Sequence, residues 1–122
     1  MGLGDSLLNS VFGTNIRTIK VSTEQLAEII DEKFIKPAVT KSELDKIEDT
    51  IKGNITPFPK EMDSMDNKFH LYVSGFQRGL TTHRTVWVKN VESQEVFEWK
   101  GYTLGSLKDN VITRINRRRI NL

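Results

Sequence analysis

Few residues in this chain have the type and spacing that chemistry needs. The two histidines are His70, in the middle of an alternating run, and His83, in a polar stretch beside Arg84. Neither has neighbours at the spacing of a general acid/base set. There is no cysteine, so a nucleophile would have to be serine, threonine or lysine, and no Gly-x-Ser-x-Gly elbow is present. A glycine-rich phosphate loop and a His-x-x-x-His pair are missing as well. Glu92, Glu95 and Glu98 fall on or beside one hairpin and read as solvated surface rather than an acid/base pair. Asp63 and Asp66 fall far short of a calcium loop, which needs several oxygens at fixed steps and a distal glutamate. No catalytic, cofactor-binding or metal-binding residue is assigned, and no enzyme is expected.

The basic residues offer more. Residues 1–66 carry 8 Lys/Arg against 12 Asp/Glu, and residues 67–122 carry 10 against 4, so the net charge of +2 hides a dipolar chain. Such a layout favours head-to-tail association or a basic face that meets an anion. Arg78, Arg84 and Lys89 belong to the sheet-forming stretch. Arg114, Arg117, Arg118 and Arg119 load the end of the last helix, where cations suit the helix dipole. Arginine grips phosphate through paired hydrogen bonds. The aromatics Tyr72, Phe76, Trp87 and Tyr102 lie between these cations and offer stacking surfaces for unpaired bases. These seven cations are the candidate nucleic-acid contacts.

The elements that must position them centre on residues 68–103, which hold both tryptophans and both tyrosines. Three runs there read as strands: 68–76, 84–90 and 95–103. Residues 77–83 are expected to form a polar turn. The loop 91–94 sets Val88 opposite Phe97 and Val86 opposite Trp99. Those four make a core face, and Thr85, Trp87, Val96 and Lys100 make a half-exposed one. An earlier run, 15–21, alternates as a fourth strand.

Helices flank the sheet. Ser22 and Gln25 form a capping box, with Val21 and Leu26 as its hydrophobic staple. Leu26, Ile29, Ile30 and Phe34 continue the stripe until Pro37 stops it. The device repeats with Thr40 and Glu43, stapled by Val39 and Leu44, and Gly53 is placed to end the second helix. A helical hairpin is therefore predicted over residues 22–53. Residues 54–67 read as a linker with Phe58, Met62 and Met65 as anchors. The last helix, 106–119, carries Leu107, Val111, Ile112 and Ile115 as its stripe. The order helix–strand–strand–strand–helix from Lys41 to Arg119 resembles that of double-stranded-RNA-binding domains, without any residue motif of that family. Helix-turn-helix DNA binding by residues 22–53 is disfavoured, because the second helix carries Glu43, Asp45, Glu48 and Asp49.

The fold class predicted is α+β: a three- to four-stranded antiparallel sheet with a helical hairpin and a C-terminal helix packed on it. Residues 1–14 form an amphipathic arm, with Leu3, Leu7, Leu8, Val11 and Phe12 at helical spacing, and residues 15–122 form one domain. Gly2 and Ser6 also fit the short N-myristoylation pattern. No run reaches the roughly 20 apolar residues of a membrane span, and no secretory signal is visible. With cysteine absent, a cytoplasmic location is expected. The functional expectation is a non-catalytic protein-interaction or assembly module. It self-associates or regulates a larger protein partner through the arm and Trp87. The alternative is nucleic-acid binding through the basic half.

Overall fold

The computed structural model describes residues 16–52 and 59–122. The arm residues Leu3, Leu7, Leu8, Val11 and Phe12, and the helix stop at Gly53, lie outside the described residues. A five-stranded sheet carries all its described helices on one face. Strand β1 is Arg17–Lys20, β2 Lys60–Asp63, β3 Phe69–Arg78, β4 Thr81–Asn90 and β5 Glu95–Gly101, in the order β1-β5-β4-β3-β2. No described helix is long and apolar enough to cross a membrane.

The predicted class holds, with two differences in the sheet. The strand expected at residues 15–21 does join it, but parallel to β5, with Ile19 beside Phe97. The other neighbours pair antiparallel, so the sheet is mixed. The reading missed β2, a short edge strand inside the supposed linker, whose Met62 lies opposite Leu71. Four strands therefore separate the second helix from the last one, and the likeness to the RNA-binding element order does not survive.

Helix α1 is Thr23–Ile30 and runs on into a π-helical turn, Asp31–Ile35. The capping box is complete: Gln25 N–H donates to the Ser22 hydroxyl, and Ser22 N–H donates to the Gln25 amide oxygen. The wider turn, closed by Lys36 N–H donating to the Asp31 carbonyl, swings both Phe34 and Ile35 inward. Pro37 follows at once, as its missing N–H requires. Helix α2 is Lys41–Lys52. Its cap uses the Thr40 hydroxyl, while the Glu43 carboxylate reaches past Thr40 to the Val39 N–H. Val39 itself is exposed, a poor staple. Helix α3 is Gly105–Ile120.

The core forms between the helices and one sheet face. Leu26, Ile30, Phe34, Leu44, Ile47 and Ile51 meet Leu107, Val111 and Ile115 over Leu71, Val73, Val86, Val88 and Trp99. Val86 lies opposite Trp99 and Val88 opposite Phe97, in the predicted register. The Trp99 indole donates to the Thr23 hydroxyl at 2.9 Å, tying β5 to the start of α1.

Candidate interaction surface

The sheet face opposite the described helices carries two aromatic stacks in series along the β3–β4 hairpin. Alternation puts His70, Tyr72, Ser74 and Phe76 on this face of β3. Their partners Lys89, Trp87, Thr85 and His83 share the face on β4. The inner stack is Tyr72 on Trp87, with ring centroids 4.6 Å apart and planes 10° from parallel. Trp87 is only 5% exposed and Val96 is fully buried. Both were expected to be half-exposed, and Trp87 was expected to be an outward anchor. Packing with Tyr72 and Ile16 instead makes them a second small core, so Trp87 is withdrawn as an interface residue.

The outer stack is open. Phe76 lies 4.9 Å from His83 at 16°, and Tyr102 tilts against His83 at 5.6 Å. Phe76 is 57% and Tyr102 68% exposed. The reason is strand length. β3 and β4 pair over ten residues each, but β2 reaches only Val73 and β5 only Gly101, opposite Arg84. The rest of the hairpin projects beyond the sheet. Residues 77–83, read as a loose turn, continue both strands to Arg78 and Thr81 and close on Gly79–Leu80. Gly79 has φ +63°, the sign a type II′ hairpin turn needs at its first central residue and one that glycine supplies without strain. Leu80 follows at the apex and is fully exposed. A Gly-x pair between alternating runs is a legible hairpin signal, and it pointed to this tip.

Beside the stack, His83, Lys100, Gly101 and Tyr102 line a shallow cleft of about 240 Å³. The tip is cationic, with Arg78 on the strand and no acidic residue between Ser74 and Arg84.

The candidate nucleic-acid contacts do not converge. Arg84 faces the helices and is buried. Its side chain crosses Gly75 so closely that a Cβ there would meet its Cδ and Nε at 2.9 Å, and burial lowers the guanidinium's pKa. Arg114 donates to Asp31 at 2.8 Å and lies 3.6 Å from Glu28. Arg118 donates to the Ala38 carbonyl at 2.8 Å. Arg119 bridges Glu48 at 2.7 Å and Asp45 at 2.6 Å. That contact raises the Arg119 pKa, and together with Lys52 it lowers that of Glu48. Arg114 and Arg119 thus hold the acidic helical segments and Arg118 the loop between them; Arg117 is exposed at one end of the helix, and Arg78 and Lys89 lie on the sheet.

His70 is held between two carboxylates. His70 has Asp63 Oδ1 at 2.8 Å from Nδ1 and Glu61 Oε1 at 2.9 Å from Nε2. Both ring nitrogens are engaged, and the carboxylates flank the ring rather than converging on one point. No group of three or more His, Cys, Asp or Glu among the described residues is placed to hold a metal ion. The three hairpin glutamates separate: Glu95 pairs with Arg17, and Glu92 sits in the exposed turn. Glu98, expected in solvent, is buried with Lys100 at 3.7 Å.

No protein-family model, curated protein or solved structure matches the chain.

Proposed function

We propose that this chain is a non-catalytic protein-interaction or assembly module that self-associates, with the β3–β4 hairpin tip as its contact surface. One observation carries the reading: Phe76 and Leu80 stand in solvent on a hairpin that outruns the sheet, and exposed Tyr102, just past β5, packs with Phe76 about His83. A single exposed leucine is ordinary. Contiguous apolar side chains rimmed by polar ones mark interaction sites, and aromatics concentrate binding energy when a partner covers them. A full ladder and a strain-free turn also pre-form the tip, which lowers the ordering cost of association.

Nucleic-acid binding has less support, since two of the arginines that motivated it, Arg114 and Arg119, bridge to Asp31, Asp45 and Glu48 within the chain. The test is solution mass by light scattering for the wild type and for Leu80→Ser with Tyr102→Ser. The double variant is expected to fall to the mass of one chain with an unchanged circular dichroism spectrum. A folded double variant that keeps the wild-type mass would overturn the reading.

A further inference from the structure

A cavity of about 320 Å³ opens between α2, the π-turn and the end of β2, with Phe34, Ile47, Met62 and Met65 as its apolar lining. Glu43, Asp63 and Lys46 stand at its polar side. Its size is at the small end of the roughly 300–1,000 Å³ range of ligand pockets, suited to one or two apolar side chains. Two of its walls are methionines, whose flexible thioethers reshape around an incoming group. Two carboxylates oppose one lysine there. Next to them the Asp66 carboxyl is kept below its ordinary pKa by the Ser64 hydroxyl and the Lys68 N–H, which adds to the negative side.

The cavity and the hairpin tip are complementary and far apart. The tip offers an apolar knob, Leu80, beside the cation Arg78; the cavity offers a hole with one apolar wall, chiefly Met62 and Met65, beside Glu43 and Asp63. β3 starts at Phe69, whose N–H and carbonyl bond Ser64 beside the cavity, and ends at Arg78 at the tip. Ten residues of strand at about 3.3 Å each separate the two features by about 30 Å. One copy cannot fill its own cavity, but two copies can fill each other's.

We infer that the hairpin tip of one copy seats Leu80 in the Phe34–Ile47–Met62–Met65 cavity of a second copy, with Arg78 facing the Glu43 and Asp63 carboxylates. This rests on the assembly reading above and specifies its geometry. The contact joins two different surfaces, so it closes only when the copies are arranged to return to the start. Two copies lying antiparallel exchange both tips and stop at a dimer; copies in line continue.

The experiment uses the full chain in two variants, analysed by size-exclusion chromatography with light scattering and checked by circular dichroism. Leu80→Asp removes the knob and keeps the hole. Met65→Asp, at a half-exposed wall position, spoils the hole and keeps the knob, and Met65→Gln is the milder form should the first disturb the fold. Each variant alone is expected to run at the mass of one chain. An equimolar mixture is expected to recover a two-chain species, because the intact knob of one fits the intact hole of the other. A mixture that stays at one-chain mass overturns the inference. A tip variant that dissociates while both cavity variants keep the wild-type mass also overturns it, and leaves the tip-mediated assembly standing. A wild type that is itself one chain, at the highest soluble concentration, overturns both.

Discussion

Helix α3 and the β3–β4 hairpin tip treat their surfaces in opposite ways. Along α3 three arginines turn inward to the helical hairpin: Arg114 to Asp31, Arg118 to the Ala38 carbonyl, Arg119 to Asp45 and Glu48. At the tip the apolar side chains turn outward: Phe76, Leu80 and Tyr102. A basic helix therefore serves cohesion here, and an apolar turn stays in solvent. The lesson is one of availability. An arginine whose hydrogen bonds the fold has already used has less to offer an outside anion, and composition does not report that. The dipolar charge split is real, but a large part of it is closed inside the molecule where α3 packs on α1 and α2.

The widest separation between the two kinds of surface is expected in stability. Leu71 is fully buried under the helices, so Leu71→Ala should cost about 2–5 kcal/mol through lost transfer energy and a cavity. Leu80→Ala, the same truncation at the tip, should change the stability of the single chain, measured at a concentration too low for association, by no more than about 0.5 kcal/mol. Urea unfolding midpoints of the two variants measure the contrast, and equal losses would mean that the tip is packed rather than presented. A smaller effect is expected at Arg114. Its pair with Asp31 is partly buried, with side-chain exposures of 22% and 14%. Arg114→Met should lower stability by about 1–2 kcal/mol, because Asp31 loses its donor while solvent offsets part of the cost. An Arg114→Met protein as stable as the wild type, but weaker than the wild type in binding single-stranded nucleic acid, would return α3 to the recognition side of the comparison.

Much of this was readable along the chain, and the parts that were not have physical reasons. The Ser22–Gln25 capping box, the Pro37 stop, the pairing of Val86 with Trp99 and the stripe of α3 are local signals, and local signals survive folding. The parallel placement of β1 depends on which strand the chain returns beside after its helices, which no local pattern records. β2 hid because Lys60–Asp63 is a short, largely exposed edge strand with almost no alternation. Trp87 was misplaced for a related reason: alternation assigns a residue to a face, and Tyr72 and Ile16 then decide whether that face is wet. The tip was half legible. Gly79–Leu80 announces a tight hairpin, but exposure of Phe76 and Tyr102 follows from where β2 and β5 end, at Val73 and Gly101. The arginines were legible as charge, and their partners became visible only once α3 lay against Asp31 and Glu48.

The smallest expected effect separates the regions by acid response. The Arg119 guanidinium, with Lys52, hydrogen-bonds the Glu48 carboxyl and holds its pKa below the usual carboxylate value of 4.5. A carboxyl with a depressed folded pKa contributes stability that is present above its unfolded pKa and lost as pH falls through the folded one. Wild-type stability should therefore decline as pH drops below about 4.5, with Glu48 among the groups responsible. Arg119→Met removes the largest cause of the shift and leaves Lys52 in place. The variant should be less stable than the wild type at neutral pH, lose stability less steeply on acidification, and converge with it once Glu48 is protonated in both. Solvent screens this pair, so the gap at neutral pH should be smaller than that of Arg114→Met. Leu80→Ala touches no titrating group and should keep the wild-type pH slope. Urea midpoints taken at stepped pH decide it: parallel curves for Arg119→Met and the wild type would mean that the Arg119 bridges to Glu48 and Asp45 contribute nothing in solution. The contrast between an inward-facing helix and an outward-facing tip would then rest on Arg114 and Arg118 alone.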